Sequence, residues 1–327
     1  MKKWRHTAFN ILCISLVLCL SGCSTASRVQ RDDGRLNVVS TVFAEYDFLR
    51  NIAGDAIHLT MLLTPGADLH TFEPTPKDMA SVQNADLFVT IGGESDAWAE
   101  KIIRSVDSDS LHTIRLMDMV DIVEEETVEG MQGEEEPSEA HDSHAEENEE
   151  KKEFDEHVWT SPKNAIQIVN GLKDTLCDLD STNKETYQKN AASYIKKLQK
   201  LDEKFEEITK NAKRHTIIVG DRFPFRYFAD AYNLEYYAAF PGCSTETGAS
   251  AETIAFLIDK VKEEQIPVVF HVELSSEMIS NTICDETGAK KKQLNAVHNI
   301  SRTDFTAGKG YLELMEENLP VLKEALN

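Results

Sequence analysis

Basic charge is scarce in this chain: 34 Lys and Arg stand against 57 Asp and Glu, a formal net charge of −23 over 327 residues. That deficit excludes nucleic acid and anionic membrane surfaces as partners recognised by charge. Beyond residue 20 no apolar run approaches the roughly 20 residues needed to cross a bilayer. Six cysteines are present but no CxxC pair, so a cysteine-built zinc cage is excluded, and any metal must be held by His and carboxylates. Neither HExxH nor GxSxG occurs, which removes the sequence basis for a metal-dependent or serine hydrolase.

What is present begins with Lys2, Lys3 and Arg5, followed by AFNILCISLVLCL, an apolar stretch of 13 residues over 8–20. A charged head and a short apolar run read as a secretory signal. The run ends in LSGC, small residues directly before Cys23, which resembles the lipobox of bacterial lipoproteins. The expectation is a signal peptide over 1–22, cleavage before Cys23, lipid on its thiol, and everything beyond it extracytoplasmic. Cys13 and Cys19 leave with the signal, so Cys177, Cys243 and Cys284 remain and permit at most one internal disulfide. The remaining length, about 300 residues, allows one large or two medium domains.

Residues 23–34 are small, polar and charged and read as a tether. LNVVSTVF, HLTMLL and DLFVTIGG then read as strands, separated by helical stretches in AEYDFLRNIAGD and TPKDMASVQNAD. The βα alternation predicts a parallel sheet covered by helices. Over residues 124–156 there are 16 Asp or Glu against two Lys, and the stretch from about 124 to 153 is expected to be a disordered acidic loop. Order resumes at DEHVWTSP, where Ser161 and Pro162 form a helix start. That helix carries Ala165, Ile168, Val169, Leu172 and Leu176 on one face and ends near Asp180. A second, over about 183–212, carries Tyr187, Ala191, Tyr194, Leu198, Leu201, Phe205 and Ile208. HTIIVGD, EYYAAF and IPVVFHVEL restart the βα rhythm, with a terminal helix interrupted at Pro320. The fold class expected is α/β, two lobes of mostly parallel sheet flanked by helices and joined by a helix, with a first lobe over 35–161 and a second over 181–327.

Ligands of open α/β sheets sit beyond the carboxyl ends of the strands. His70 follows the second strand in TPGADLHTFEPTP, a loop stiffened by Pro65, Pro74 and Pro76. His157 stands just before a helix start. Asp221 follows HTIIVG at the head of RFPFRYF, and His298 lies in NAVHNIS. A neutral imidazole is the commonest transition-metal ligand. Each position also has a plain alternative: a solvated histidine for His70 and His298, a turn residue for His157, and a cap or an ion pair with Arg222 or Arg226 for Asp221.

TPGADLHTFEPTPKDMASVQNADLFVTIGG, the acidic His-containing insert, DEHVWTSPKNA, the YxxNAxxY pattern at 187–194 and FRYFADAYNL together resemble the zinc- and manganese-binding lipoproteins of ABC importers (ZnuA/TroA-like solute-binding proteins, cluster A-I). The resemblance covers essentially the whole chain after Cys23. It implies two lobes bridged by a long backbone helix, matching 162–180 here, with the metal in the cleft between them. It implies that His70 and His157 are the two histidine ligands of the first lobe. The family's third ligand precedes an FxYF motif; here GDRFPFRYF has no histidine and one additional residue, and Asp221 is the nearest candidate. The fourth family position, an Asp, falls near LNAVHNIS, where Asn295 replaces the carboxylate and His298 is the substitute by proximity. Glu273 matches a glutamate that supports the lobe.

Two or three histidines with a carboxylate suit tetrahedral Zn2+, while more carboxylate and water would favour Mn2+. His141 and His144 in the acidic insert are candidates for accessory metal collection, with a merely solvating loop as the alternative. The function implied is capture of zinc, or second manganese, by a monomer anchored to the membrane through Cys23, and delivery to a permease with its ATPase. The alternatives are a lipid-anchored adhesin or metal buffer uncoupled from transport, and a metal-dependent hydrolase.

Overall fold

Five residues with two adjacent valines, LNVVS, start the folded body as β1 (Leu36–Ser40). They are followed by α1 (Phe43–Ala53), β2 (Ile57–Met61), α2 (Pro76–Gln83), β3 (Leu87–Thr90), α3 (Ala97–Ser105) and β4 (His112–Arg115). The computed structural model describes residues 33–69, 71–106, 110–133, 153–244 and 248–327. Leu36–Asn327 pack as one compact unit. The first four strands form a parallel sheet in the order β2-β1-β3-β4.

Two helices come next, α4 (Pro162–Leu179) and α5 (Lys184–Lys210). All five residues expected on the apolar face of α4 are buried, as are six of the seven expected on α5, Ile208 being half-buried. The chain then repeats its first pattern with β5 (Thr216–Phe223), α6 (Arg226–Tyr232), β6 (Glu235–Pro241), α7 (Ala251–Glu263), β7 (Val268–Val272), α8 (Met278–Thr287) and β8 (Lys290–Leu294). These strands form a second parallel sheet in the order β6-β5-β7-β8. The short α9 (Arg302–Thr306) and the long α10 (Tyr311–Leu326) close the chain. The two-lobe α/β architecture expected from the alternating pattern is the one observed.

One apolar core runs through both lobes. It takes in Val38 and Phe48 of the first, Ile168, Leu198 and Phe205 of α4 and α5, and Val219, Phe270 and Tyr311 of the second. Smaller clusters cover the outer face of each sheet, around Phe88 and Ile102 in one and Ile218 and Leu257 in the other. The central strands β3 and β7 are buried along their whole length. That is why they read as unbroken apolar runs.

Four features depart from the pattern reading. The strands β4 (HTIR) and β8 (KKKQL) carry polar sequences, because each lies at a sheet edge with its side chains largely exposed. The helix α3 also goes beyond it, burying only Ala99 and Ile102. The interruption expected at Pro320 is absent. The helix α10 continues through it, with Leu314, Met315, Asn318 and Leu322 buried on either side, so packing outweighs the lost N–H. Finally, residues 124–132 of the acidic segment lie against the second lobe, where Gln132 N donates to Ala239 O of the edge strand β6 (3.0 Å).

Candidate metal centre

The carboxyl ends of both sheets converge on one cleft, and the residues that follow β2, β5, β6, β7 and β8 line a cavity of about 80 Å³ there. Its walls include Asp68 and Leu69 from the first lobe and Asp221, Arg222, Gly242, Glu273 and His298 from the second.

His157 leads a single 3₁₀ turn (Val158–Thr160) that feeds α4. Asp155, two residues earlier, uses one carboxylate oxygen to accept the backbone N–H of His157 (2.8 Å) and to meet the ring Nδ1 (3.1 Å). Both side chains are buried. A carboxylate on one ring nitrogen fixes orientation and tautomer and directs the other nitrogen elsewhere. Burial alone would lower the His157 imidazole, but Asp155, Glu156 and Glu125 overcome it and hold the group above its ordinary value. Gly242, at the end of β6, lets the ring approach: a Cβ there would lie 3.0 Å from His157 Cε1 and 2.9 Å from Phe223 O.

His298 comes from the opposite lobe. Val297, just before it, has φ +60°, a left-handed conformation that a β-branched residue rarely adopts. The turn aims successive N–H groups at one acceptor: Glu273 takes Ala296 N (2.7 Å) and His298 N (3.1 Å). Burial raises Glu273 to about 7 despite those hydrogen bonds. Glu273 thereby holds the loop that presents His298, and His298 Nδ1 lies 3.8 Å from its Oε1. Burial, then the nearby His157 and Arg222, keep His298 well below the usual imidazole value, so at neutral pH it is uncharged.

The two imidazoles meet across the cleft with ring centroids 4.6 Å apart and planes at 80°. Trp159 packs edge-on to both, and the Nε2 atoms of both are buried.

Asp221 lies on the same cavity wall. Its carboxylate accepts from Ser275 Oγ, Val272 N and Arg222 N, and burial raises it against these bonds. Just before FRYF, β5 carries one residue more than β6 opposite it, a register shift between Val219 and Arg222. This irregularity brings Arg222 to the cavity, with its guanidinium 3.4 Å from Asp68 Oδ2 of the first lobe. Asn295 is absorbed elsewhere, bonded to Asn318 and to Leu314 O. His70, His141, His144 and Cys23 lie outside the described residues. Among the described residues no group of three or more His, Cys, Asp or Glu is gathered as a cation site, and Cys177, Cys243 and Cys284 are free thiols. Asp155, Arg222 and Asn299 are the cleft residues that pattern reading missed. For Asp155 a local signal existed, a carboxylate two residues before a histidine.

Comparison with known proteins decides the lineage. The model of the ZnuA family, described as zinc-uptake complex component A, periplasmic, matches residues 38–325. The chain belongs to the ZnuA family. Among its ZnuA-family relatives, the zinc-binding lipoprotein AdcA of Streptococcus pneumoniae is 34% identical over 325 residues, covering 99% of this chain and 61% of that protein. The chain thus spans about three fifths of the length of that relative. The high-affinity zinc uptake system protein ZnuA of Bacillus subtilis is 31% identical over 328 residues, with 99% of this chain and 98% of that one covered. Among solved structures, the Zn(II)-bound ZnuA-like domain of S. pneumoniae AdcA superposes with a TM-score of 0.72 at 31% identity, covering 90% of this chain and 99% of that domain.

Proposed function

We propose that this ZnuA-family chain captures a divalent transition metal outside the cytoplasm, zinc first and manganese second, and passes it to the permease and ATPase of an ABC importer. Its role is binding, not catalysis, and it acts as a monomer held at the membrane by lipid on Cys23. The ion would be held by Nε2 of His157 and of His298, by His70, and by the carboxylate of Asp221. The observation that carries this reading is the meeting of His157 and His298, one from each lobe, at a ring separation of 4.6 Å. An ion between them is a crosslink across the cleft. A nitrogen-rich donor set favours zinc over manganese, and the relatives named for zinc point the same way.

The test is metal analysis and titration of the purified chain beside its His70→Ala, His157→Ala, Asp221→Ala and His298→Ala variants. One zinc per chain is expected, with affinity reduced by about tenfold or more in the histidine variants, on the order of 1.4 kcal/mol each. Unweakened binding in all four would place the site elsewhere. Manganese displacing zinc at equal free concentration would reverse the metal order.

A further inference from the structure

The loop after β2 leads directly into His70, and within its described part, residues 64–69, Gly66 to Leu69 form one wall of the cleft cavity. Ala67 N donates to Thr64 O at 3.0 Å within the loop, and Leu69 O accepts Phe72 N at 3.2 Å. Three of the loop's backbone carbonyls, those of Thr64, Pro65 and Ala67, accept from the other lobe. Asn299 Nδ2 donates to Thr64 O (2.8 Å) and to Ala67 O (2.7 Å), so both amide hydrogens go to this one loop. Asn299 Oδ1 accepts from Ile300 N (2.8 Å), which fixes the rotamer. Asn299 is 2% exposed. Two further contacts bracket it: Arg302 Nε to Pro65 O (3.3 Å) and the Arg222–Asp68 ion pair (3.4 Å).

These gripping residues are neighbours of candidate ligands. Asn299 follows His298 and Arg222 follows Asp221. The Asn299 and Arg222 contacts that hold the loop are thus made by residues adjacent in the chain to second-lobe candidates. We infer that Asn299, supported by Arg222 and Arg302, is a positioning clasp that holds residues 64–69 across the cleft and sets the rate at which a bound metal leaves. The inference rests on the metal site proposed above. Asn299 itself touches no metal; its amide is spent on the two carbonyls. A clasp that closes behind the ion governs release more than entry, because the encounter takes place with the loop open.

The decisive variant is Asn299→Asp, which keeps the shape and the acceptor for Ile300 N but loses both donors. With zinc alone as ligand and a chromophoric chelator as trap, stopped-flow on the full chain gives the release rate, and direct mixing gives the association rate. Release is expected to be about tenfold faster, association to change by less than about twofold, and amide exchange in the peptide 62–72 to rise. Arg222→Gln with Arg302→Gln, a pair of polar changes outside the core, is expected to shift release the same way by about threefold. It keeps the test alive if Asn299→Asp folds poorly. Unchanged release in folded variants sinks the clasp, whether or not loop exchange rises. A uniform loss of affinity through slower association sinks it too, since mere disruption of the fold would do that. Failure of the parent chain to retain zinc sinks the metal site and the clasp with it, whereas retention by the parent with unaltered release from the variants sinks the clasp alone.

Discussion

Asp96 shows at a single residue how the fold spends charge beneath the cleft. It is 2% exposed and accepts Ile91 N (2.6 Å) and Gly92 N (3.2 Å) just past the end of β3. Burial, joined by the charge of Glu156, lifts its carboxyl from 3.8 to about 7. The sign follows from linkage: between those two values the native state binds more protons than the unfolded chain, so the contribution of Asp96 to stability falls as pH rises across that window and is flat above it. Asp96→Asn is therefore expected to gain on the parent from about pH 4 to pH 7, by on the order of 2 kcal/mol after allowing for relaxation around a buried group. Urea unfolding of both proteins at several pH values measures the difference. A pH-independent gap would mean that Asp96 titrates as an ordinary carboxylate.

Among the elements, the segment 124–132 is the one whose behaviour composition misjudges. Its acids find specific partners on the second lobe. Glu125 accepts Cys243 N (2.8 Å), and Glu126 pairs with Arg226 (3.1 Å) and accepts Tyr236 Oη (3.3 Å). Gln132 Oε1 accepts the backbone N–H of Ser250 (2.7 Å), the N-cap of α7. Gly130 makes the passage possible. It has φ +83°, and a Cβ there would lie 2.0 Å from Phe256 Cδ1. Gly130→Ala is expected to destabilise by about 1–3 kcal/mol through backbone strain and overpacking. Differential scanning calorimetry and protease cleavage within 124–133 would show it; an unchanged melting temperature and cleavage pattern would mean that the segment is loosely held. The polar edge strands teach the same lesson. A periodicity search finds elements by what they bury, and β4 and β8 bury little.

For the molecule as a whole, the two lobes are expected to unfold together. The apolar core is continuous from one sheet to the other. Buried hydrogen bonds also cross between halves: Trp159 Nε1 to Ala296 O (2.8 Å), Tyr311 Oη to Trp159 O (2.7 Å) and Tyr311 N to Asp47 Oδ2 (2.9 Å). A single calorimetric transition with equal calorimetric and van't Hoff enthalpies is the expected outcome for the metal-free chain, and two resolved transitions would show lobes that fold separately. By itself the sequence determined the βα alternation, the apolar faces of α4 and α5, and the interest of His157 and His298, because periodicity and residue chemistry are local properties. Only tertiary structure decided that those two histidines face each other, that Glu273 and a left-handed Val297 present one of them, that the additional residue in β5 turns Arg222 into the cleft, and that Asn299 grips the opposite loop. Those facts depend on contacts between residues from 23 to 235 positions apart or on backbone geometry, and neither leaves a periodic trace in the chain.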